Sequence, residues 1–414
     1  MLLEAKVERI QKDMEDMAQY TATPGRGITR FSFTEEDRLT RAFLKDRMRA
    51  CGLEVYEDAA GSIIGRRPGR ADNAPVVMIG SHFDSVKNGG PFDGPAGVVT
   101  ALEIARVLHE NSIVTEHPIE FVALIEEEGG RFGSGLFGSR AMAGRIAPQD
   151  LYTCKDDCGV SMAEAMASFG FDPMNISQAA RMQEQIKAFF ELHIEQGPVL
   201  EATGVNVGIV EAVVGITQLE VVIEGRADHA GTTPMDMRSD ALVAAAQAVT
   251  LVNQLAKKTG RNAVATVGKL SVMPGAYNIV PGKVVLTVDI RSAANETIKE
   301  LSQKIKRGVL ALPEQFPGIS CSAAIKMQVE PVILPANIVT ILEEVGLERG
   351  ISTMHMVSGA GHDAMIMAGL TQVGLVFVPS RMGRSHCPEE WTEYRQLKQG
   401  VDILLGAVLR QAGA

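Results

Sequence analysis

Gly80-Ser81-His82-Phe83-Asp84-Ser85 directly follows the apolar run Val76-Val77-Met78-Ile79 and precedes Asp93-Gly94-Pro95-Ala96-Gly97. One imidazole and two carboxylates therefore lie at the end of a segment that reads as a buried strand. In open α/β sheets, the C-terminal ends of strands are where ligands bind. Neutral imidazole and carboxylate oxygen are donors that zinc, manganese, cobalt and nickel accept. A hydrogen-bonded core histidine gives the same local pattern, so other segments must decide. Ile125-Glu126-Glu127-Glu128-Gly129-Gly130-Arg131-Phe132 closes a second apolar run. Consecutive acids there repel one another unless cations or shared protons offset them, or unless the turn is solvated. Leu192-His193-Ile194-Glu195-Gln196-Gly197 and Ser385-His386-Cys387-Pro388 each add one histidine. Each alone suits a satisfied, non-ligating histidine. Together, these strand-end clusters of ligand types point to a metal site.

Such side chains need a scaffold, and the spacing of apolar residues outlines one. Helical spacing covers Leu3–Ala18 and Phe33–Ala50, with Thr34 as an N-cap. Strands are expected at Val76–Ile79, Ile119–Ile125 and Ile186–Ile194, the last carrying His193, with a helix over Gly97–Glu110. This alternation predicts an α/β domain with a mostly parallel sheet and helices on both faces. After Ile209 the pattern changes. Thr217–Ile223, Ala263–Val272, Val284–Ile290 and Ser320–Gln328 read as strands, and Ser239–Lys257 and Glu296–Leu312 as helices. That order is β-α-β-β-α-β, the ferredoxin-like one. From Val332 the first character returns, with a helix at Asn337–Arg349, a strand at Gly374–Val378 and a terminal helix from Thr392. The expected organisation is a catalytic domain at 1–210 and 329–414, interrupted by a smaller domain at 211–328.

Composition narrows the function. A chain of 414 residues should hold two domains, and 46% hydrophobic with 22% charged residues is ordinary for a globular protein. A net charge of −10 argues against nucleic acid or an anionic membrane as partner. The five cysteines are scattered and odd in number, so no disulfide framework is implied. Cys154 and Cys158 could be half a zinc site, but no second Cys/His pair lies near, and a surface loop fits better. The charged, periodic segment from Met1 to Ile10, of which Met1 and Leu2 lie outside the residues described below, is unlike a signal peptide. No apolar stretch reaches the ~18 residues of a membrane span. The expectation is a cytoplasmic enzyme acting on a small molecule. The Met354–Met356 and Met365–Met367 runs read as core filler, and His109, His117 and His355 as ordinary residues.

The segments GSHFDSVKNGGPFDGPAG, EEEGGRFGSGLFGSRAMAG, ELHIEQGPVLE, GRADHAGTTPM, NIVPGKVVLTVDIRS, SGAGHDAM and FVPSRMGRSHCP carry a further signal. Together they resemble the M20 family of dinuclear metallohydrolases, and more closely its ureido-group amidohydrolases. That branch holds N-carbamoyl-L-amino acid hydrolases, β-ureidopropionases and allantoate amidohydrolases. The resemblance runs essentially end to end. It implies two divalent ions per subunit (Zn, Mn, Co or Ni), one held by His82 and His193 and the other by Glu128 and His386, with Asp93 bridging. A carboxylate can span ions about 3.5–4 Å apart. The resemblance makes Glu127 the general base and Asp84 the carboxylate that orients His82, with Asp84 as a ligand the lesser alternative. It places His229 across a homodimer interface as an oxyanion donor, and Asn278 and Arg291 on the substrate carboxylate. A turn-structuring histidine and a surface ion pair of Arg291 with Asp289 are the alternatives for those two positions. Gln196 and His362 become substrate contacts.

One departure bears on the substrate. Allantoate hydrolases of the family show Gly-Gln-x-Arg where this chain has Gly215-Ile216-Thr217-Gln218. An apolar Ile216 tilts the expectation toward hydrolysis of an N-carbamoyl-L-amino acid. Allantoate hydrolysis is the alternative, followed by an aminoacylase or dipeptidase, or a metal-binding scaffold without catalysis.

Overall fold

The structure, a computed structural model, describes residues 3–260 and 263–414. Strands in chain order are β1 (Glu54–Glu57), β2 (Ile63–Arg67), β3 (Val76–His82), β4 (Ile119–Leu124), β5 (Ile186–Ile194), β6 (Val207–Val213), β7 (Gly215–Glu224), β8 (Val264–Met273), β9 (Lys283–Ser292), β10 (Ser320–Val329), β11 (Val332–Ile333), β12 (Thr353–Ser358) and β13 (Gln372–Val378). Two units separate. One comprises the chain up to Glu211 with Leu334–Met356 and Ala360–Ala414, and the other Ala212–Ile333 with Val357–Gly359.

The larger sheet has the order β1-β2-β4-β3-β5-β13-β6-β11, with β12 also on β6. Its centre is parallel: β4 with β3, β3 with β5, and β5 with β13. Toward the edges, β1, β2, β6 and β11 join antiparallel. Every residue of β3 and β4 is buried, so both faces of the sheet are covered there. Continuous apolar runs are what such strands require. The helix Pro95–Glu110 packs on β3, β4 and β5, and Tyr394–Ala412 on β5, β13 and β3.

Most expected elements are present with shifted ends. β3 runs on through His82, because Gly80, Ser81 and His82 still pair with Val122, Ala123 and Leu124. Thr34 does cap the helix Glu35–Ala50, its side chain accepting from Asp37 N–H. The first helix begins only at Val7. Asp402 takes the Ala5 N–H at 2.8 Å and Glu103 the Lys6 N–H at 2.7 Å, so tertiary acceptors replace the helical ones. The methionine runs are less buried than expected: Met354 and Met356 are half-buried on β12, and of Met365–Met367 only Met367 is fully buried. Cys154 is half-buried and Cys158 exposed, both as free thiols.

The second unit has four strands in the order β10-β7-β9-β8, all antiparallel. The helices Ala241–Thr259 and Asn295–Leu310 follow β7 and β9. Strict alternation of burial along β9 gives the sheet one covered face and one partly open face. Leu219, Val221, Leu286 and Val288 line the covered face with Ala244, Ala248, Ile298 and Leu301 from the helices. Among the described residues, no helix is long and apolar enough to cross a membrane.

Candidate metal centre

Adjacent parallel strands bring their C-terminal ends to one edge of the larger sheet. β3 ends on His82, and β4 runs into Glu126-Glu127-Glu128. β5 carries His193 opposite Phe377 of β13, and β13 leads to Ser385 and His386. Between them sits Asp93, just before the helix Pro95–Glu110. Its Oδ1 lies 3.5 Å from His82 Nε2 and 3.2 Å from His193 Nε2. Its Oδ2 lies 3.2 Å from His386 Nε2, which in turn lies 3.3 Å from Glu128 Oε1. One carboxylate thus faces two separate ligand sets, one per oxygen.

The ring tautomers suit metal binding. His82 Nδ1 is 3.2 Å from the Asp84 carbonyl, and His193 Nδ1 is 2.9 Å from the Ile194 carbonyl. A carbonyl only accepts, so Nδ1 carries a proton in each ring, and Nε2, which faces Asp93, is the atom that would bind a cation once its own proton is displaced. Glu128 Oε1 is buried and makes no well-aligned hydrogen bond, its nearest polar neighbour being His386 Nε2 at 3.3 Å, so a cation between them would satisfy it. The donors of His82, Asp93 and His193 lie within 4.8 Å of one another, as do those of Asp93, Glu128 and His386. Imidazole and carboxylate without thiolate suit borderline to hard divalent ions. The residues fit the group.

Gly94 makes this closeness possible. Its φ is +80°, and a Cβ there would lie 2.3–2.6 Å from the His82 ring. Glu126, Gln196 and His386 also have positive φ (54°, 55° and 57°). Each costs about 1–3 kcal/mol for a non-glycine residue and persists only where its surroundings over-determine it. Three such residues lie around the candidate site.

Charge is crowded here. Burial is the largest single influence and would lower His82 and His193, but the surrounding carboxylates together (Glu127, Asp84 and Asp93 at His82, Asp93 and Glu191 at His193) outweigh it and hold both rings above the ordinary histidine value. Contacts with Asp93 and Glu128 push His386 up to about 11. Burial would raise Asp93, yet His193, His386 and His82 hold it well below the carboxylate range. Burial, with Asp363 and Glu128, holds Glu127 well above that range against the pull of His82. Burial and Asp84 push Glu126 up to about 7. Surroundings this negative favour a bound cation as much as a protonated ring.

Asp84 does something the sequence did not indicate. Its Oδ1 accepts the Glu127 N–H at 3.0 Å and its Oδ2 the Glu128 N–H at 3.1 Å. Its carboxylate is 3.6 Å from His82 Nδ1, farther than its own carbonyl. Asp84 therefore ties the acidic turn to β3, while both its carbonyl and, farther off, its carboxylate face His82 Nδ1. Gln196 reaches the ligands directly, with Nε2 2.7 Å from Asp93 Oδ2. His362 is 2% exposed, its ring 4.5 Å from that of His193. Burial and the charge of His193 hold it well below the ordinary value, and so neutral.

The other three candidates belong to the second unit. His229 is exposed, and its Nδ1 accepts the Gly231 N–H at 3.1 Å. The proton of the neutral ring is thereby placed on Nε2. Asn278 is exposed beside it, its carbonyl accepting the Ala230 N–H at 2.9 Å. Arg291 pairs with Asp289 (Nε to Oδ1, 2.7 Å) and donates to the Gly359 carbonyl at 2.8 Å, so the ion pair weighed as its alternative is present. A guanidinium carries five N–H groups, and the pair leaves room for a further acceptor.

Glu191 escaped the sequence reading. It is fully buried on β5, accepting from Ser81 Oγ at 2.6 Å and from Ala364 N–H at 2.8 Å. It thus ties β3, β5 and the start of the helix Asp363–Met367 beneath the two buried histidines. An acid inside the apolar run Ile186–Ile194 was the available signal, since buried charges are retained when paired.

Known proteins resemble the chain along most of its length. Residues 78–410 match the model of peptidase family M20/M25/M40. An N-carbamoyl-L-amino-acid amidohydrolase of Paenarthrobacter aurescens is 45% identical, with 98% of each chain covered. An allantoate amidohydrolase of Bacillus subtilis is 36% identical, with 96% of each covered. The crystal structure of an amidase of the hydantoinase/carbamoylase family from Burkholderia multivorans superposes with a TM-score of 0.93 at 33% identity, covering 100% of this chain and 99% of the other. With a family match over most of its length and relatives this similar from end to end, the chain belongs to peptidase family M20/M25/M40.

Proposed function

We propose that the protein is a homodimeric, divalent-cation-dependent amidohydrolase that cleaves the ureido C–N bond of an N-carbamoyl-L-amino acid. Water is consumed, and the amino acid, carbon dioxide and ammonia are released. The observation that carries this reading is Asp93, with one oxygen facing His82 and His193, the other facing His386, and Glu128 and Glu127 alongside. In this reading residues 1–210 and 329–414 form the catalytic domain, and 211–328 form the dimerisation and lid domain.

Two divalent cations, when bound by His82, His193, Asp93, Glu128 and His386, polarise the ureido carbonyl and lower the pKa of water. Glu127 takes the proton of the attacking water and delivers it to the leaving nitrogen. His229 of the partner subunit donates Nε2–H to the developing oxyanion, a role its tautomer supports. Arg291 and Asn278 hold the substrate carboxylate, with Arg291 steered by Asp289. Gln196 contacts substrate beside Asp93, and His362, neutral and packed on His193, lines the site from behind.

Ile216 supports the carbamoyl-amino-acid reading over allantoate. It lies directly opposite Arg291 in the β7–β9 register, where an apolar neighbour offers nothing to a second ureido group. Unpaired polar groups in a site are strongly disfavoured. On cation-reconstituted protein, kcat/KM for N-carbamoyl-L-amino acids should exceed that for the D-forms, β-ureidopropionate and allantoate by at least roughly 100-fold. Faster turnover of allantoate would transfer the assignment to that substrate.

A further inference from the structure

Glu390 stands four residues after His386 and takes no part in the reading above. It is 2% exposed. Its Oε1 accepts two backbone N–H groups, from Phe92 at 2.8 Å and from Asp93 at 3.0 Å. Its Oε2 lies 2.9 Å from Ser385 Oγ, and the same hydroxyl lies 2.6 Å from Asp93 Oδ2. One side chain thus ties the backbone that carries Asp93 to the segment that carries His386. Gly90 leaves the space for it, since a Cβ there would lie 2.2 Å from Glu390 Cβ and 2.3 Å from its Oε1.

His386 needs such a tie. Its side chain is 48% exposed, against 1% for His82 and 2% for His193, so packing alone does not hold it. Its backbone φ of 57° adds strain that neighbouring contacts must offset. Asp93, for its part, leads into the helix Pro95–Glu110 from Gly94, a residue with no side chain to cap that end. Both groups are set by the loops that carry them.

We propose that Glu390 is a positioning residue that locks the Asp93 and His386 loops in register, so that Asp93 Oδ2, Glu128 and His386 converge on one divalent cation. The claim rests on the metal reading of those three residues. Glu390 acts by accepting backbone hydrogen bonds and engaging Ser385, whose hydroxyl reaches Asp93; it touches neither cation nor substrate.

The test is cobalt(II) affinity of the full-length protein, measured by competition with a chromophoric chelator, with the visible cobalt spectrum as the coordination signature. E390A should weaken one of two binding steps by roughly 10–100-fold and alter the spectrum, as loss of an outer partner does. E390Q keeps an amide oxygen for the Phe92 and Asp93 N–H groups and should restore affinity and spectrum. S385A should weaken the same step. A folded E390A with both affinities unchanged overturns the proposal, and so does an E390Q as weak as E390A. If E390A does not fold, unchanged affinity in S385A overturns it. Wild-type protein that binds no cobalt would overturn the metal reading itself, a result distinct from the others.

Discussion

Replacing Glu127 by Gln lowers ammonia release by at least about 10²–10⁴-fold while both cations stay bound. The substitution is nearly isosteric and removes only the carboxylate proposed to exchange a proton. Its neighbour Glu128 behaves oppositely: Glu128→Gln should lose cation first and activity as a consequence. Three consecutive acids can hold such different tasks because the turn is rigidly set. Glu126 is buried, sits at φ 54°, and accepts the Phe132 N–H. Asp84 then fixes the N–H groups of both Glu127 and Glu128. The donor atoms of His82, Glu127 and Glu128 also lie within 4.8 Å of one another, so geometry alone would allow Glu127 as a ligand. Elemental analysis beside the ammonia assay separates the two roles. Cation loss with residual activity in Glu127→Gln would show that they are exchanged.

Mixing His229→Ala and Glu127→Gln chains restores activity that neither has alone. A lost oxyanion donor costs roughly 10²–10³-fold, so each parent is nearly inactive. If His229 serves the neighbouring subunit, one site of each heterodimer holds both Glu127 and an intact His229. Random exchange between chains in a two-fold dimer then gives about a quarter of wild-type activity. Two features of the second unit favour this arrangement. The β8 edge of its sheet exposes Val264, Leu270 and Met273, an unpaired apolar edge that a copy of the chain could extend. The His229 ring is exposed, with Nδ1 engaged by the Gly231 N–H, so the neutral ring carries its proton on Nε2. Absence of recovery, with heterodimers verified by distinct tags, would place His229 in its own subunit's site or outside catalysis.

Much of the scaffold was legible because buried parallel strands need uninterrupted apolar residues, as in Val76–Ile79 and Ile119–Ile125. The signal stopped where polar residues began, although the β3 ladder continues through Gly80, Ser81 and His82. β1 and β2 gave little to read. Glu54-Val55-Tyr56-Glu57 is short and half exposed, and β2 holds Gly65, whose missing Cβ makes room for Leu53 and Met48. β11 and β12 were hidden for another reason: Val332–Ile333 is only two residues long, and along Thr353–Ser358 only Ser358 is fully buried. At the site, histidines and acids at strand ends stood out by type. Glu191 and Glu390 did not, because their work is to accept hydrogen bonds from residues distant in sequence. Spacing along the chain cannot show that kind of partner. Asp84 illustrates the same limit: its position beside His82 suggested one role, and the backbone of a separate turn gave it another.

The central claim is that hydrolysis of a ureido bond depends on two cations held around Asp93. Its most direct measurement follows ammonia and free amino acid released from an N-carbamoyl-L-amino acid as manganese, cobalt, nickel or zinc is returned to chelator-stripped protein. Stripped protein should show negligible turnover, and reconstituted protein should release ammonia and amino acid in equal amounts, with activity that levels off near two cations per chain. Full turnover by protein shown by elemental analysis to be free of metal would contradict it.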